Sequence, residues 1–211
     1  MVLHQRRSLL LFGTLVLTLT GCFTGERPSL TPRSSVDDAA AGAVLDRLGG
    51  AEVLDFVATY RIAPTSTGNT TRATVAQLGG DRRITIGNVE YTSDGERSQT
   101  CRNDGEDCVD FLNDALISDL NITHMFWGPA FSTRLELDAS RRIGPSAGTA
   151  TTVAGQAAAC VDVILPGAAS ATGTVAYCAL DAGILARYFG ADVSIELTNI
   201  SFDVSASDLE R

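Results

Sequence analysis

The chain has 211 residues, carries a formal charge of −9, and draws all 16 of its basic residues from arginine. That length suffices for one domain with a sizeable core. So acidic a balance makes nucleic acid and anionic lipid headgroups poor partners, and nucleic-acid binding is set aside.

Arg6 and Arg7 precede an almost unbroken apolar run from Ser8 to Thr20. The run is shorter than the about 20 apolar residues that span a bilayer and has the length of a signal-peptide core. It ends in Leu19-Thr20-Gly21-Cys22, which resembles the lipobox of bacterial lipoproteins. That resemblance implies that residues 1–21 are a signal peptide removed on export. It also implies that the Cys22 thiol carries a diacylglycerol, with acyl chains such as palmitate, holding the chain to the outer side of the cytoplasmic membrane. Two or three acyl chains, at about 0.8 kcal/mol per buried CH₂, give stable anchoring. Gln5-Arg6-Arg7-Ser8-Leu9-Leu10 also loosely resembles a twin-arginine export signal, which leaves the export route open. Loss of residues 1–21 leaves 190 residues (211 − 21) and a charge of −11 (−9 − 2), because Arg6 and Arg7 are the charges removed.

Residues 22–38 carry Gly25, Pro28, Pro32 and many Ser and Thr, and read as a lipidated flexible tether. The domain would occupy residues 39–211. Ala39, Ala40, Ala43, Val44, Leu45 and Leu48 recur at helical spacing, with Asp37 or Asp38 as cap and Gly49-Gly50 as stop. From Leu54 the period becomes two: Leu54, Phe56, Ala58, Tyr60 and Ile62 alternate with Asp55, Val57, Thr59 and Arg61, a strand with one buried face. Strand-like stretches follow at Thr70–Leu78, Arg82–Gly87, Asn88–Thr92 and Arg97–Cys101, joined by short turns such as Ser93-Asp94-Gly95. The spacing of Phe111, Leu112, Ala115, Leu116 and Leu120 predicts a helix over Cys108–Leu120, capped by Asp107. A second helix is predicted from Pro129, a favoured first-turn residue, to Ala139. Strands return at Thr149–Val153, Ala159–Leu165, Thr174–Leu180, Ile184–Phe189 and Val193–Val204, with loops at Arg141–Gly148 and Pro166–Gly173.

Beyond Cys22 there are four cysteines, Cys101, Cys108, Cys160 and Cys178. An even number in an exported domain suggests two disulfides, for which three pairings exist. Joining Cys160 to Cys178 sets Leu165 opposite Gly173 and aligns Val161 and Val163 with Val175 and Tyr177 on one face. The bridge then lies on the other face with Asp162, outside the core. This agreement of register favours Cys160–Cys178 with Cys101–Cys108.

The elements compose an α+β fold: a curved antiparallel sheet of about eight to ten strands, a half-barrel, covered on its concave face by two or three helices. This order resembles the lipoprotein-carrier superfamily, LolA-like domains with mycobacterial lipoproteins of the LppX and LprG type among them. The segment Tyr177-Cys178-Ala179-Leu180-Asp181-Ala182-Gly183 is similar to the back hairpin of such domains, which ends in Asp-x-Gly. The lack of lysine and the abundance of Ala, Gly, Asp and Val point to a GC-rich genome such as an actinobacterial one. The resemblance implies a hollow that takes acyl chains of a lipid or glycolipid, lined by Phe56, Tyr60, Ile84, Ile86, Val161, Val163, Tyr177, Ile195 and Leu197. Helices bearing Phe111 and Phe131 would form a lid, and Phe126 and Trp127 the lip.

Catalytic signals are weak. Gly144-Pro145-Ser146-Ala147-Gly148 matches G-x-S-x-G, but a nucleophile elbow needs a strand before it and a helix after it, and here the order is reversed. A single histidine, His124, follows the signal peptide; alone it makes no two-histidine metal site, and a half-buried packing role is the ordinary reading. The acidic loop Arg102–Asp107 lacks EF-hand spacing and reads as a solvated hairpin tip. The sequons at Asn69, Asn121 and Asn199 read as chance matches. No catalytic residue, metal or cofactor is assigned. The expected function is a non-enzymatic, lipid-anchored envelope protein that binds or shuttles an amphiphile. The alternative is a module with a filled core that binds an envelope protein.

Overall fold

The computed structural model describes residues 37–102, 105–167 and 173–210. The expected signal peptide, Cys22 and most of the tether lie outside the described residues. No helix among the described residues is long and apolar enough to cross a membrane.

Helix α1 (Ala39–Leu48) begins at Asp38, whose Oδ1 accepts from the N–H groups of Ala40 and Ala41 at 3.1 and 3.0 Å. It buries Ala41, Val44 and Leu48, residues three and four apart on one face. Six strands follow as a meander: β1 (Phe56–Pro64), β2 (Thr71–Leu78), β3 (Asp81–Ile86), β4 (Val89–Ser93), β5 (Ser98–Arg102) and β6 (Asp107–Val109). After α2 (Pro129–Arg141) a second meander runs through β7 (Ala147–Val153), β8 (Gln156–Ile164), β9 (Thr174–Leu180), β10 (Leu185–Phe189) and β11 (Val193–Ser201). Pairing of β1 with β11 joins the two into one open, curved sheet in the order β6-β5-β4-β3-β2-β1-β11-β10-β9-β8-β7. These eleven antiparallel strands exceed the eight to ten expected, because the segment after Cys101 supplies the short strand β6.

Period-two patterning puts Phe56, Ala58, Tyr60 and Ile62 on one face of β1, each at most 1% exposed. Rows of apolar residues cross the sheet on this inner face: Tyr91, Ile84, Val75 and Ala58 on one side, and Ile62, Ile195, Tyr188, Tyr177 and Val161 on the other. Helix α1 packs on α2 and on β7, β8 and β9, and α2 contributes Phe131, Leu135 and Ala139 to the core.

Both disulfides join residues directly opposite each other on neighbouring strands, Cys101 with Cys108 and Cys160 with Cys178. The hairpin register is the expected one, with Val161 against Tyr177, Val163 against Val175, and the Leu165 N–H donating to Gly173 O. The second bridge is less separate from the core than expected. Asp162 is exposed, but Cys178, flanked by Cys160 and Arg187, is 3% exposed and joins the apolar cluster.

The helix expected over Cys108–Leu120 does not form. The bridge to Cys101 holds Cys108 in β6. The buried Thr100 hydroxyl donates to Phe111 O and accepts from the Asn113 N–H, which pins the next residues in non-helical conformation. Only Asp114–Leu120 coils, as 3₁₀ turns broken at Ile117. Phe111, expected in a lid, is 55% exposed as a result.

The turn Asp181–Gly183 abuts the end of α1. Gly183 has φ +100°, and a Cβ there would lie 2.8 Å from Arg47 O and 3.0 Å from Ala51 N. Gly183→Ala therefore meets both backbone strain and a backbone clash, and is expected to cost about 3 kcal/mol. Urea unfolding checks this; a loss under about 1 kcal/mol would show that the turn relaxes freely.

Asp38 also ties α1 to the chain entering β7, since its Oδ2 accepts from the Ser146 N–H at 3.0 Å and pairs with Arg142 Nε at 3.1 Å. Burial pushes its carboxyl pKa up, but the N–H donors of Ala41 and Ser146 and the Arg142 charge outweigh it and leave the value below the ordinary 3.8. The resulting stability is complete above the unfolded-state pKa and is lost as pH falls through the lower folded value. Asp38→Asn keeps a capping side chain, so its unfolding free energy is expected to fall less steeply between about pH 5 and pH 2 than that of the unsubstituted chain. Parallel slopes would remove Asp38 from the acid response.

Candidate functional site

The inner face holds twelve of the thirteen residues expected to line a ligand hollow, all at most 3% exposed; Phe111 is elsewhere. The segment before α2 brings aromatic rings onto this face. Trp127 packs on Phe56 with centroids 5.6 Å apart, and Phe126 meets Tyr60 edge-on at 5.0 Å. Phe131 of α2 stands 6.5 Å from Tyr177 and 4.6 Å from Tyr188, whose own rings are 4.9 Å apart. These are contact distances for aromatic pairs. The Leu185 N–H donates to Trp127 O at 2.8 Å, fixing the turn to β10. Ile84, Ile86, Val161, Val163, Ile195 and Leu197 extend the same apolar cluster.

Two polar atoms inside the cluster, Tyr60 Oη and Trp127 Nε1, have no hydrogen-bond partner among the described residues. Burial pushes the Tyr60 phenol well above its ordinary pKa and keeps it neutral. At the rim, polar groups hold α2 to the sheet. The Tyr177 hydroxyl donates to Asp138, Arg134 pairs with Asp192 at 2.8 Å, and the Arg134 guanidinium sits 4.6 Å over the Tyr188 ring. Burial raises the pKa of Tyr177, with the Asp138 hydrogen bond adding to it, and burial likewise raises that of Tyr188. All three phenols are therefore neutral packing groups.

A second feature opens at the ends of β3, β4 and β5. It is a cleft of about 800 Å³ lined by Asp81, Arg82, Asp94, Arg97, Asp110 and Leu209, among others. The Asp94 carboxylate accepts from the N–H groups of Glu96 and Arg97 at 3.0 and 2.7 Å, shaping the β4–β5 turn that walls it. Arg82 links cleft to core. Its guanidinium lies 4.7 Å over the Trp127 ring and its Nε donates to Gln77 Oε1 at 2.8 Å. Burial lowers its pKa and Glu52 opposes the shift; an arginine starts so high that it stays charged. Gln77, 1% exposed, also donates through Nε2 to Glu52 O at 2.9 Å and Leu54 O at 2.8 Å, strapping the chain ahead of β1 to β2.

Sequence reasoning missed Gln77, Arg82, Arg134 and Tyr188. A signal for Gln77 was present: it follows Ala73 and Val75 on the buried parity of β2, where a polar side chain needs partners.

The other sequence candidates fall outside these features. Ser146 lies between α2 and β7, a helix-to-strand order opposite to that of a nucleophile elbow. His124 Nδ1 is 3.0 Å from both carboxylate oxygens of Asp114, and its ring stacks on Tyr91 at 5.4 Å. Asn103 and Asp104 of the acidic hairpin tip lie outside the described residues, and no cluster of three metal-binding side chains occurs among the described ones.

These features define an open-sheet α+β domain with an aromatic interior and a mixed-charge surface cleft. No protein-family model matches the chain, and no curated protein matches it. Solved structures similar to it include the Pseudomonas aeruginosa MucA/MucB complex, at TM-score 0.49 and 18% identity over 82% of this chain and 61% of that one. MucB alone gives 0.47 and 18% over 84% and 63%, and MucB with MucA(peri) gives 0.45 and 15% over 81% and 59%. The chain thus spans less than two thirds of the length of the proteins it is similar to.

Gln77→Ala removes the partner of the carbonyls of Ala51, Glu52 and Leu54 and of Arg82 Nε together. Buried groups left unpaired cost about 1–3 kcal/mol each, so a loss of at least about 2 kcal/mol in chemical denaturation is expected. A loss below about 0.5 kcal/mol would mean that water replaces the side chain without penalty.

Proposed function

We propose that this chain is a non-enzymatic lipoprotein of the bacterial cell envelope, held to the membrane through a lipid on Cys22. On this reading its α+β domain binds an envelope protein and keeps its interior for itself. The observation that carries the binding-module reading is the filling of the inner face by Phe126, Trp127 and Phe131, whose rings contact Tyr60, Phe56, Tyr177 and Tyr188. On this reading these rings occupy the space that an acyl chain would need. The cleft of about 800 Å³ then offers an outward surface in which Arg82 and Arg97 stand among Asp81, Asp94 and Asp110. Mixed charges of this kind give a partner orientation and specificity. The lipobox Leu19-Thr20-Gly21-Cys22 supports the anchor and, with it, an extracytoplasmic location.

One observation favours a second reading, in which the domain carries an amphiphile. Tyr60 Oη and Trp127 Nε1 are buried without partners among the described residues, on the face where such a ligand would sit, and a polar ligand group would satisfy them.

Native mass spectrometry of the chain expressed in a bacterial envelope separates these readings. The expected result is a diacylglycerol adduct that Cys22→Ser abolishes, and no further mass beyond the chain less the hydrogens lost in two disulfides. A non-covalent lipid mass that organic extraction removes would replace the binding module with the carrier. An unmodified Cys22 on the mature chain would sink the anchor.

A further inference from the structure

The outer face of the sheet concentrates positive charge where an acidic chain would be expected to avoid it. Arg72 of β2 stands directly opposite Arg61 of β1, Arg61 opposite Glu196 of β11, and Glu196 opposite Arg187 of β10. Three arginines and one glutamate thus fall in a single cross-strand row. Glu196 pairs with Arg61 and lies 3.5 Å from Arg187, whereas Arg72 has no ion-pair partner among the described residues. Four other arginines each meet a carboxylate, Arg47 with Asp181, Arg83 with Glu90, Arg134 with Asp192 and Arg142 with Asp38; what sets Arg72 apart is a second arginine directly opposite it. Like charges directly opposite each other destabilise a sheet, so fold stability gives no reason for Arg72 to face Arg61.

The row borders a pocket. At the β1–β11 pairing the register shifts: Thr59 faces Asn199 and Tyr60 faces Leu197, so Thr198 is the extra residue of a bulge, and its hydroxyl donates to Thr59 O at 3.0 Å. Bulges bend a strand locally and re-aim side chains. Beside this one a concavity of about 390 Å³ is lined by Arg61, Arg72, Thr59, Thr70, Thr198 and Asn199. That volume lies within the about 300–1,000 Å³ of small-molecule sites.

We propose that this outer-face pocket binds a phosphate-type oxyanion, clamped by Arg72 and Arg61 with Thr70 and Asn199 as further hydrogen-bond donors. One guanidinium fork satisfies the two oxygens of a planar carboxylate. Two forks on neighbouring strands match a tetrahedral anion, whose oxygens can accept from both. The ligand is either free phosphate or the phosphodiester of a lipid headgroup, and the chain's overall negative charge limits affinity for either to what this local row supplies. The inference stands apart from the interior and the cleft, and holds under either reading of them.

The test is amide NMR of the full chain in neutral maltoside micelles at fixed ionic strength, titrated with inorganic phosphate. Saturable shifts centred on Thr70, Arg72, Arg61 and Asn199 are expected. Arg72→Gln should weaken binding about tenfold, the loss of one charge-assisted contact, while leaving the unfolding midpoint unchanged or higher. Asn199→Ala, which keeps both arginines, should weaken it less. Dihexanoyl phosphatidylglycerol that competes with phosphate, where the phosphate-free dihexanoylglycerol does not, would assign a lipid headgroup; phosphate binding without such competition would assign the free anion. Shifts that are linear in phosphate, scattered over the surface, or unaltered by Arg72→Gln would overturn the site.

Discussion

Strand β1 pairs with its sequence neighbour β2 on one side and with β11, the last strand of the chain, on the other. Without that second pairing the molecule would be two separate meanders, each with an apolar face and nothing to complete it. The pairing is long, from Val57 against Ser201 to Pro64 against Val193, and it brings together residues more than a hundred positions apart. Closing so large a loop costs entropy before any contact repays it. The local hairpins, two of them stapled by disulfides, form more cheaply and present the edges that β1 and β11 must find. The same central pairing places Ile62 beside Ile195 and Tyr60 beside Leu197, so the inner apolar rows run unbroken from one half to the other.

The two faces of the sheet do different work. The inner strand residues mix small and aliphatic side chains, Ala58, Ala73, Val75, Val161 and Val163 among them, with the rings of Phe56, Tyr60, Tyr91, Tyr177 and Tyr188. The connection between the meanders adds three further rings, Phe126, Trp127 and Phe131, which fall within a few residues of one another. That segment is the keystone of the core, because its rings contact Phe56 and Tyr60 of the first half and Tyr177 and Tyr188 of the second. Arg82 extends this outward, since the guanidinium that covers Trp127 also lines the cleft. A partner engaging Arg82 would act on a group already held by the core, through Gln77 and Trp127.

Local chemistry was legible in the sequence and long-range chemistry was not. The Asp38 cap, the Gly49-Gly50 stop, Pro129 as the opening residue of α2 and the Cys160–Cys178 register each depend on residues close in sequence. The segment 108–120 shows the opposite. Its apolar spacing is helical, yet a disulfide and one buried threonine hydroxyl override it, because tertiary bonds outweigh weak intrinsic propensity. The partnership of β1 with β11 left no mark in either strand, since an alternating pattern fixes which face is buried and says nothing of which strand lies alongside. The interior residues were legible as apolar alternation; whether their space was hollow or filled depended on where Trp127 and Phe131 come to rest.

That division also locates where binding chemistry can reside. The inner-face phenols with a raised pKa, Tyr60, Tyr91, Tyr177 and Tyr188, are neutral groups, and the cross-strand row of charges lies on the other face. The Thr198 bulge sits in the one pairing that unites the sheet. It shows that this junction tolerates an irregularity where a regular ladder would have bound the halves more simply. Bulges recur where a side chain has to be re-aimed. Here the strand it bends sets Glu196 opposite Arg61 and brings Asn199 to the concavity that Arg61 and Arg72 line. The pairing on which the fold depends is therefore also the place where the outer surface departs from a plain, charge-balanced sheet.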